Sequence, residues 1–538
     1  MRRILLTSAL TYANGPLHLG HMIEAVQTDV FARAMRMQGH EVHYICGSDA
    51  HGTPIMLKAQ KEGLEPAQLV QQVSAEHQRD YGEFLIGFDH FHSTHSEENR
   101  EALERIYTAL DAAGHIAKRT IEQAWDPVEK MFLPDRFIRG TCPHCDAPDQ
   151  YGDACEVCGA TYDPLDLKDA RSALSGAAPE QRPSEHFFFK LGDFEGFLRG
   201  WLDSAQLQQA VKAKLQEWFE AGLKDWDISR DAPYFGFEIP GAPGKYFYVW
   251  VDAPVGYIAS WMHFLAGTGT DPWAAWSADS DTEVFHVIGK DITYFHALFW
   301  PAMLQGAGLK PPSGIHAHGF LTVNGEKMSK SRGTFITARQ YLQQLPAEYL
   351  RYYFAAKLGA GVDDVDLNLE DFRSRVNSDL IGKYVNIAAR CAGFVKKIGE
   401  GRLASELDRP ELVAEFAAAG DAIGQAYAAR ESGQAVRQIM ALADKANAYV
   451  AERAPWSLAK DPEHADEVLP VCTTAINLFR LLSLYLQPIL PSTASRVGDW
   501  LHGLPTWSER AQPLLAVDID PYNNLLSRID EKALAALH

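Results

Sequence analysis

The first fifty residues constrain the fold more than any other stretch of the chain. Arg3–Leu10 is a short apolar run, and Thr11–Leu17 is a loop around Asn14-Gly15-Pro16. From about His18 to Gln38 the period changes. Leu19, Met22, Ile23, Val26, Val30 and Ala34 recur at helical spacing on one face. Gly39 suits the end of that helix, and Glu41–Cys46 opens a second strand. Strand, helix, strand is a βαβ unit, so the two strands are parallel and the crossover is right-handed. This is an α/β fold.

A second α/β stretch comes much later, with a strand at Val284–Gly289, a helix at Asp291–Gln305 and a strand at Ile315–Phe320. Between the two, roughly residues 114–228, the pattern breaks up, which predicts a domain inserted into a split, Rossmann-like parallel sheet. After about residue 380 strand signals stop. Val436, Ile439, Ala443, Ala446 and Val450 keep helical spacing, as do Cys472, Ala475, Ile476, Phe479 and Leu486, so the last third is a helix bundle. The expected units are 1–113, 114–228, 229–320, 321–380 and 381–538.

Composition narrows the class. With 46% hydrophobic and 22% charged residues the chain is globular, not fibrous or disordered. No window approaches about 18 uninterrupted apolar residues, so no membrane span is expected. The start, MRRILLTSAL, is too short and lacks a cleavage pattern for a signal peptide. Fifty Lys+Arg against 70 Asp+Glu give a net charge of −20, which argues against nonspecific coating of nucleic acid but permits a local basic track.

Seven cysteines are divided unevenly. Cys46, Cys391 and Cys472 stand alone among apolar neighbours and read as core residues in a reducing compartment. The other four form two CxxC knuckles, Cys142-Pro-His-Cys145 and Cys155-Glu-Val-Cys158. Two thiolates on each of two tight turns match tetrahedral Zn²⁺, with His144 as a possible substitute ligand. A pair of redox CxxC units is the alternative, but such units usually start a helix in a thioredoxin-like context that is absent here. Four protein ligands leave no open position, so this metal is expected to be structural.

Two segments are suited to phosphate chemistry, although histidines at a helix start often only cap or pack, and a lysine-rich loop is often only a solvated surface. His18-Leu19-Gly20-His21 opens the first helix, where free N–H groups and the positive end of the dipole already favour an anion. The imidazoles add donors, and Gly20 lets a nucleotide approach the backbone. About 300 residues later, Gly325 and Gly333 flank Lys327-Met328-Ser329-Lys330-Ser331, a composition suited to a mobile loop over β- and γ-phosphates.

HLGH with KMSKS resembles the signature pair of class I aminoacyl-tRNA synthetases, differing from the familiar HIGH by one Leu/Ile exchange. Within that class the chain resembles the methionyl branch over essentially its whole length, through TYANGPLHLGH, GSDAHGTPIMLKAQ, WDISRDAPYFG, VWVDAPVGY, GKDITYFHALFWPAML, GFLTVNGEKMSKSRGT, DLIGKYVNIAAR and ERAPW. An insertion of about 115 residues is too small for the editing domain of the isoleucyl, valyl and leucyl enzymes.

The resemblance implies a split Rossmann-like catalytic domain in 1–113 and 229–320, and a zinc-bearing connective insertion in 114–228. It implies a KMSKS connector in 321–380 and an α-helical anticodon-binding domain in 381–538. It further implies activation of L-methionine by ATP, with Mg²⁺, to methionyl-adenylate and pyrophosphate, then transfer to the terminal adenosine of tRNA. Methionine would sit among Leu10, Tyr12, Trp250, Ala253, Pro254, Tyr257, Ile292 and His296, with Asp49 pairing its ammonium. ATP would meet His18, Gly20, His21, Gly289, Asp291, Lys327 and Lys330, and Arg230 would stand near the carboxylate and α-phosphate. Asn386, Arg390 and Trp456 would read a CAU anticodon, Asn386 and Arg390 lying four apart on one helix face. A cytoplasmic monomer is expected, or a homodimer if a longer natural chain adds a C-terminal dimerisation domain. The rivals are a cysteinyl-type synthetase, a small nucleotidyltransferase and a non-catalytic tRNA-binding paralogue or zinc-ribbon adaptor. Cysteinyl enzymes place zinc in the amino-acid pocket, the nucleotidyltransferases lack the helical third, and a paralogue is expected to lose one signature.

Overall fold

The computed structural model describes all residues except 153, 154, 156, 159, 161, 163, 329–334 and 538. Its central sheet is parallel throughout. In spatial order its strands are Gln206–Leu207, Gly314–His318, Glu283–Gly289, Arg3–Ser8 and Glu41–Asp49, and the last pairs with both Thr11–Tyr12 and His90–Ser93. Leu6 lies opposite Tyr44 on one side and Phe285 on the other. Ile4, Leu5 and Leu6 are all buried, because helices cover both faces. The chain leaves Arg3–Ser8 toward one neighbour, while Glu283–Gly289 flanks it on the other. That reversal of strand order opens a crevice at the carboxyl ends of the two strands. The first helix, Leu19–Met37, starts at this crevice with His18 as its N-cap.

The helix expected at Asp291–Gln305 is broken. Lys290–Ile292 is a 3₁₀ turn, Phe295–Phe299 a π-turn, and only Trp300–Gly306 is α-helical. Pro301 has no N–H to bond the carbonyl four residues back, so the regular ladder fails there.

Residues 114–228 contain a long antiparallel ladder, Ile116–Asp126 against Glu180–Phe189. Much of Ile116–Asp126 is exposed, so the apolar alternation that normally betrays a strand is missing. The knuckles sit beyond it on a small sheet of Ile138–Thr141, Gln150–Tyr151 and Lys168–Ser172. The segment then returns to the main body. Leu198 and Leu215 share one apolar cluster with Leu5 and Ile45, and Gln206–Leu207 pairs with Gly314–Ile315.

The connector begins as a hairpin, Leu321–Val323 against Glu326–Lys327. Its two turn residues, Asn324 and Gly325, have φ of 50° and 79°, the left-handed pair that a two-residue type I′ turn requires. The last third is helical, chiefly Asn386–Ile398, Pro410–Ala428, Ser432–Arg453, Val468–Leu486 and Pro491–Leu501. All the stripe residues named above are buried there. By length and composition Ala465–Leu486 could cross a membrane, but 83% of its most apolar window is buried inside the protein. The apolar cluster is continuous from Met22 and Val26 of the first helix to Phe416 and Ile476 of the bundle.

One buried charge ties the two together. Arg351 is fully buried and donates to Asp29 Oδ2 of the first helix at 2.6 Å, and to the carbonyls of Pro488 (2.9 Å) and Ile489 (2.8 Å) beyond the bundle's central helix. Breaking such a pair leaves an uncompensated buried charge and costs about 3–5 kcal/mol.

Candidate functional site

The crevice is built first from the HLGH turn. His18 Nδ1 accepts the Gly20 N–H at 3.1 Å, and His21 Nδ1 accepts the His18 N–H at 3.1 Å. A ring nitrogen that accepts carries no proton, so the proton of each neutral ring lies on Nε2. The rings stack with centroids 3.8 Å apart. Burial, and then His18 and His77, hold His21 well below the usual histidine value, so it stays neutral at pH 7. The turn thus fixes two imidazoles as uncharged N–H donors at a helix N-terminus.

The KMSKS region meets this turn on both sides of its loop. Leu19 N–H donates to Ile336 O (3.1 Å), Ala338 N–H to Leu17 O (2.9 Å), and Phe335 packs edge-on to His18 at 5.2 Å. On the other side Met328 lies over Gly20, where an added Cβ would come within 2.8 Å of its Cε. Gly20 therefore admits the loop as well as a ligand. Lys327 ends the hairpin strand and is exposed, whereas Lys330 lies outside the described residues.

Beside the crevice the predicted pocket residues converge from three segments. Tyr257 and His296 join through a 2.8 Å bond, and His296 Nδ1 lies 3.1 Å from Ile292 O. The π-turn sets this ring so that Nδ1–H donates to the carbonyl and Nε2 accepts the Tyr257 hydroxyl. Burial pushes His296 down to about 4. Trp250 stacks flat on Phe295 at 4.3 Å. Helix Val249–Phe264 contains Pro254, which removes the N–H that would bond the Trp250 carbonyl. Gly256 lets this helix touch the first strand's exit loop, since a Cβ there would fall 2.5 Å from Leu10 Cδ1. Ala253 is buried, and the Tyr12 hydroxyl approaches Gly52 on the pocket's other side.

Asp49, at the end of its strand, is a polar anomaly of this region, as is the neighbouring Asp252, whose Oδ1 is likewise without a partner. Asp49 Oδ1 is buried without a hydrogen-bond partner, and burial plus the nearby Asp252 raise the Asp49 carboxyl well above the usual range. A cation placed there would reverse that cost. Arg230 lies on the strand Ser229–Asp231, its guanidinium 3.7 Å over the Tyr248 ring and its Nη1 bonded to Ser229 O. Gly289 ends its strand at the crevice, and a Cβ there would strike Asp291 Oδ1 at 2.5 Å.

Sequence reasoning missed two polar chains here. Asp252 Oδ2 lies 2.5 Å from His51 Nδ1, and His51 Nε2 lies 3.1 Å from His95. His318 bonds Glu24 of the first helix at 3.1 Å, with Asp291 in electrostatic contact. His51 and Asp252 both belong to segments that carried the resemblance, GSDAHGTPIMLKAQ and VWVDAPVGY, and that was the available signal.

In the bundle, the Arg390 guanidinium lies 4.4 Å over the Trp456 ring, which remains 36% exposed. Asn386 is one turn earlier and donates to Asn447 Oδ1 at 3.3 Å. Several basic side chains of the connector and the bundle are held in ion pairs. Arg339 is held by Asp80 and Glu83, Lys383 by Asp444, and Arg373 by Glu370 and Glu531.

The four knuckle sulfurs lie within 4.8 Å of one another, with Cys142–Cys158 at 3.9 Å and Cys145–Cys155 at 3.6 Å. Four thiolates about 2.3 Å from one Zn²⁺ would be about 3.8 Å apart, so the donor set fits the ion. The His144 and Cys158 amides point at Cys142 Sγ and Cys155 Sγ, both at 3.4 Å, which stabilises thiolates there. The isolated Cys46, Cys391 and Cys472 are buried, as expected.

Comparison with known proteins bears on the chain as a whole. A family model described as class I tRNA synthetases (M) matches residues 4–392, and one described as the anticodon binding domain of methionyl tRNA ligase matches residues 400–519. A methionine–tRNA ligase from Thiobacillus denitrificans is 57% identical over 539 residues, covering 100% of this chain and 78% of that protein. The structure of Mycobacterium tuberculosis methionyl-tRNA synthetase in complex with methionyl-adenylate superposes with a TM-score of 0.81 at 25% identity, covering 98% of this chain and 99% of that one. The apo form of the same enzyme gives 0.75 at 23% identity, covering 98% and 99%.

Proposed function

The chain belongs to the methionyl-tRNA synthetase family of class I ligases, and we propose that the residues above carry that family's activity: activation of L-methionine by ATP, then transfer to tRNA. The observation that carries this reading is the junction of HLGH and KMSKS at the crevice, where Met328 covers Gly20 and Phe335 covers His18.

Methionine enters between Leu10, Tyr12, Trp250, Ala253, Pro254, Tyr257, Ile292 and His296. An apolar, aromatic wall suits a flexible thioether. The Tyr257–His296–Ile292 chain spends the polar atoms of that wall on one another. Asp49 takes the ammonium, which satisfies its unpartnered oxygen. Arg230 steadies the carboxylate against the α-phosphate. Attack of a carboxylate oxygen on the α-phosphorus forms the acyl–phosphate bond as the bond to pyrophosphate breaks. His18 and His21 donate from Nε2 to phosphate oxygens, while Lys327 and Lys330 neutralise charge moving onto the leaving group. Gly289 and Asp291 receive the ribose. No side chain becomes a nucleophile, so catalysis rests on positioning and charge stabilisation. Mg²⁺ accompanies ATP as part of the substrate, and Zn²⁺ on Cys142, Cys145, Cys155 and Cys158 would fix the fold of the insertion.

At the far end, Trp456 offers a stacking face held by Arg390, and Asn386 offers hydrogen bonds, which suits splayed anticodon bases of a CAU triplet. Free buried thiols and the family's chemistry support a cytoplasmic enzyme, acting as a monomer over this stretch of chain. The test is ATP–pyrophosphate exchange with a panel of amino acids. Methionine-dependent exchange is expected, and its absence would overturn the reading.

A further inference from the structure

A second set of metal-binding side chains stands apart from the knuckles and the crevice. His90 and His92 alternate on the edge strand His90–Ser93 and project to the same face of the sheet. His263 reaches them from the last turn of helix Val249–Phe264. Its ring lies 4.8 Å from that of His90 and 4.4 Å from that of His92, centroid to centroid. One ring nitrogen from each of the three lies within 4.8 Å of the others. The Nε2 of His90 is sealed from solvent and has no hydrogen-bond partner. Glu98, in the first turn of helix Glu97–Ala112, holds His92 Nε2 at 3.3 Å.

Three imidazoles clustered without a proton-sharing partner among themselves are poorly explained as packing. Neutral rings this close gain little from one another, and a buried nitrogen lone pair or N–H left unpaired is costly. Neutral imidazole is the form that binds a metal, and a carboxylate on the second nitrogen is the usual way of orienting a ligand histidine.

We propose that His90, His92 and His263 bind a divalent transition ion of the zinc class, with Glu98 orienting His92. Three protein ligands leave a fourth position for water, unlike the closed four-cysteine site. The ion would join two walls of the methionine pocket from behind. Helix Val249–Phe264 carries Trp250, Ala253, Pro254 and Tyr257 in its first half and His263 in its last turn. The edge strand leads to Thr94, whose hydroxyl accepts the Ala50 N–H at 2.9 Å, next to Asp49. Gly47 allows this close pairing, since a Cβ there would lie 2.9 Å from the His92 carbonyl.

The test is a Zn²⁺ titration of the purified full chain, competed against a metal indicator, with bound zinc counted per chain after desalting. Wild type is expected to hold two equivalents. His263→Ala, at an exposed position where folding is not at stake, and His90→Gln are each expected to hold one. Glu98→Gln should weaken the second equivalent by roughly tenfold. Zn²⁺ added beyond the first equivalent should also raise the Tm of wild type and leave that of His263→Ala unmoved. A single equivalent in wild type, or two equivalents retained by both histidine variants, would overturn the proposal.

Discussion

The crevice and the exposed end of the helical bundle set polar and aromatic side chains in opposite surroundings. At the crevice, His296 is buried and His21 and Asp49 are half-buried, and desolvation dictates their charge: neutral imidazoles, and a carboxylate that requires a cation. At the bundle end, Arg390 and Trp456 sit at the surface, ordered by a cation–π contact and little else. Chemistry on small molecules is served by groups whose state is set before the ligand arrives. In the proposed reading, recognition of a large, flexible partner is served by a platform that the partner itself completes. Between them Arg351 holds the first helix to the bundle through a charge that water never reaches.

That contrast can be broken most forcefully at the link. Arg351→Met is expected to cost about 3–5 kcal/mol of unfolding free energy, because the buried Pro488 and Ile489 carbonyls lose their donor and Asp29 keeps only Arg33, at 2.7 Å, as its cation. A denaturant midpoint unchanged from wild type would mean that the two regions are tied by apolar packing alone. Next in size, Lys330→Ala should slow adenylate formation by roughly 10²–10³, with methionine affinity little altered. Equal loss of binding and rate would remove Lys330 from the charge-stabilising role. Asp49→Asn should lower kcat/KM for methionine by roughly 100-fold, as expected for a buried charged hydrogen bond losing its charge at about 2–3 kcal/mol. Its effect on ATP binding should be slight, and calorimetric titration with each substrate separates the two. Trp456→Ala should weaken discrimination between cognate and anticodon-altered tRNA by roughly tenfold or more, given about 1–3 kcal/mol per stacked base. Full discrimination in aminoacylation assays would make Trp456 packing only.

The smallest effect expected is a flat one. His21 is held below the ordinary value of 6.5 by burial first and by His18 second. Above 6.5 both folded and unfolded forms are neutral, so it contributes nothing to pH dependence. As pH falls below 6.5 the unfolded chain takes up a proton that the folded chain refuses, and stability is lost toward acid. The rate of adenylate formation should therefore show no inflection near 6.5 from this residue. A rate that follows such an inflection, and loses it in His21→Asn, would show His21 titrating in the working range.

The parallel sheet was legible as short apolar runs on either side of a helical stripe, and the first helix and the bundle as periodic apolar patterns over ten or more residues. The exposed ladder Ile116–Asp126 was not, since solvent on both faces removes the alternation that marks a strand. The helix expected at Asp291–Gln305 failed on the effect of Pro301, which a periodicity count does not weigh.

The functional groups divide along the same line. Cys142, Cys145, Cys155 and Cys158 announce their chemistry because metal knuckles are local, with both ligands of each pair on one turn. HLGH and KMSKS are local words too, and their spacing in sequence says which chemistry is present. That Asp49 Oδ1 has no partner and that Arg339 is spent on Asp80 and Glu83 were decided by burial and long-range packing. His90 and His92 are neighbours in sequence, yet His263 joins them from some 170 residues away. Protonation state and metal geometry depend on distances and dielectric surroundings, and those exist only once the chain has folded.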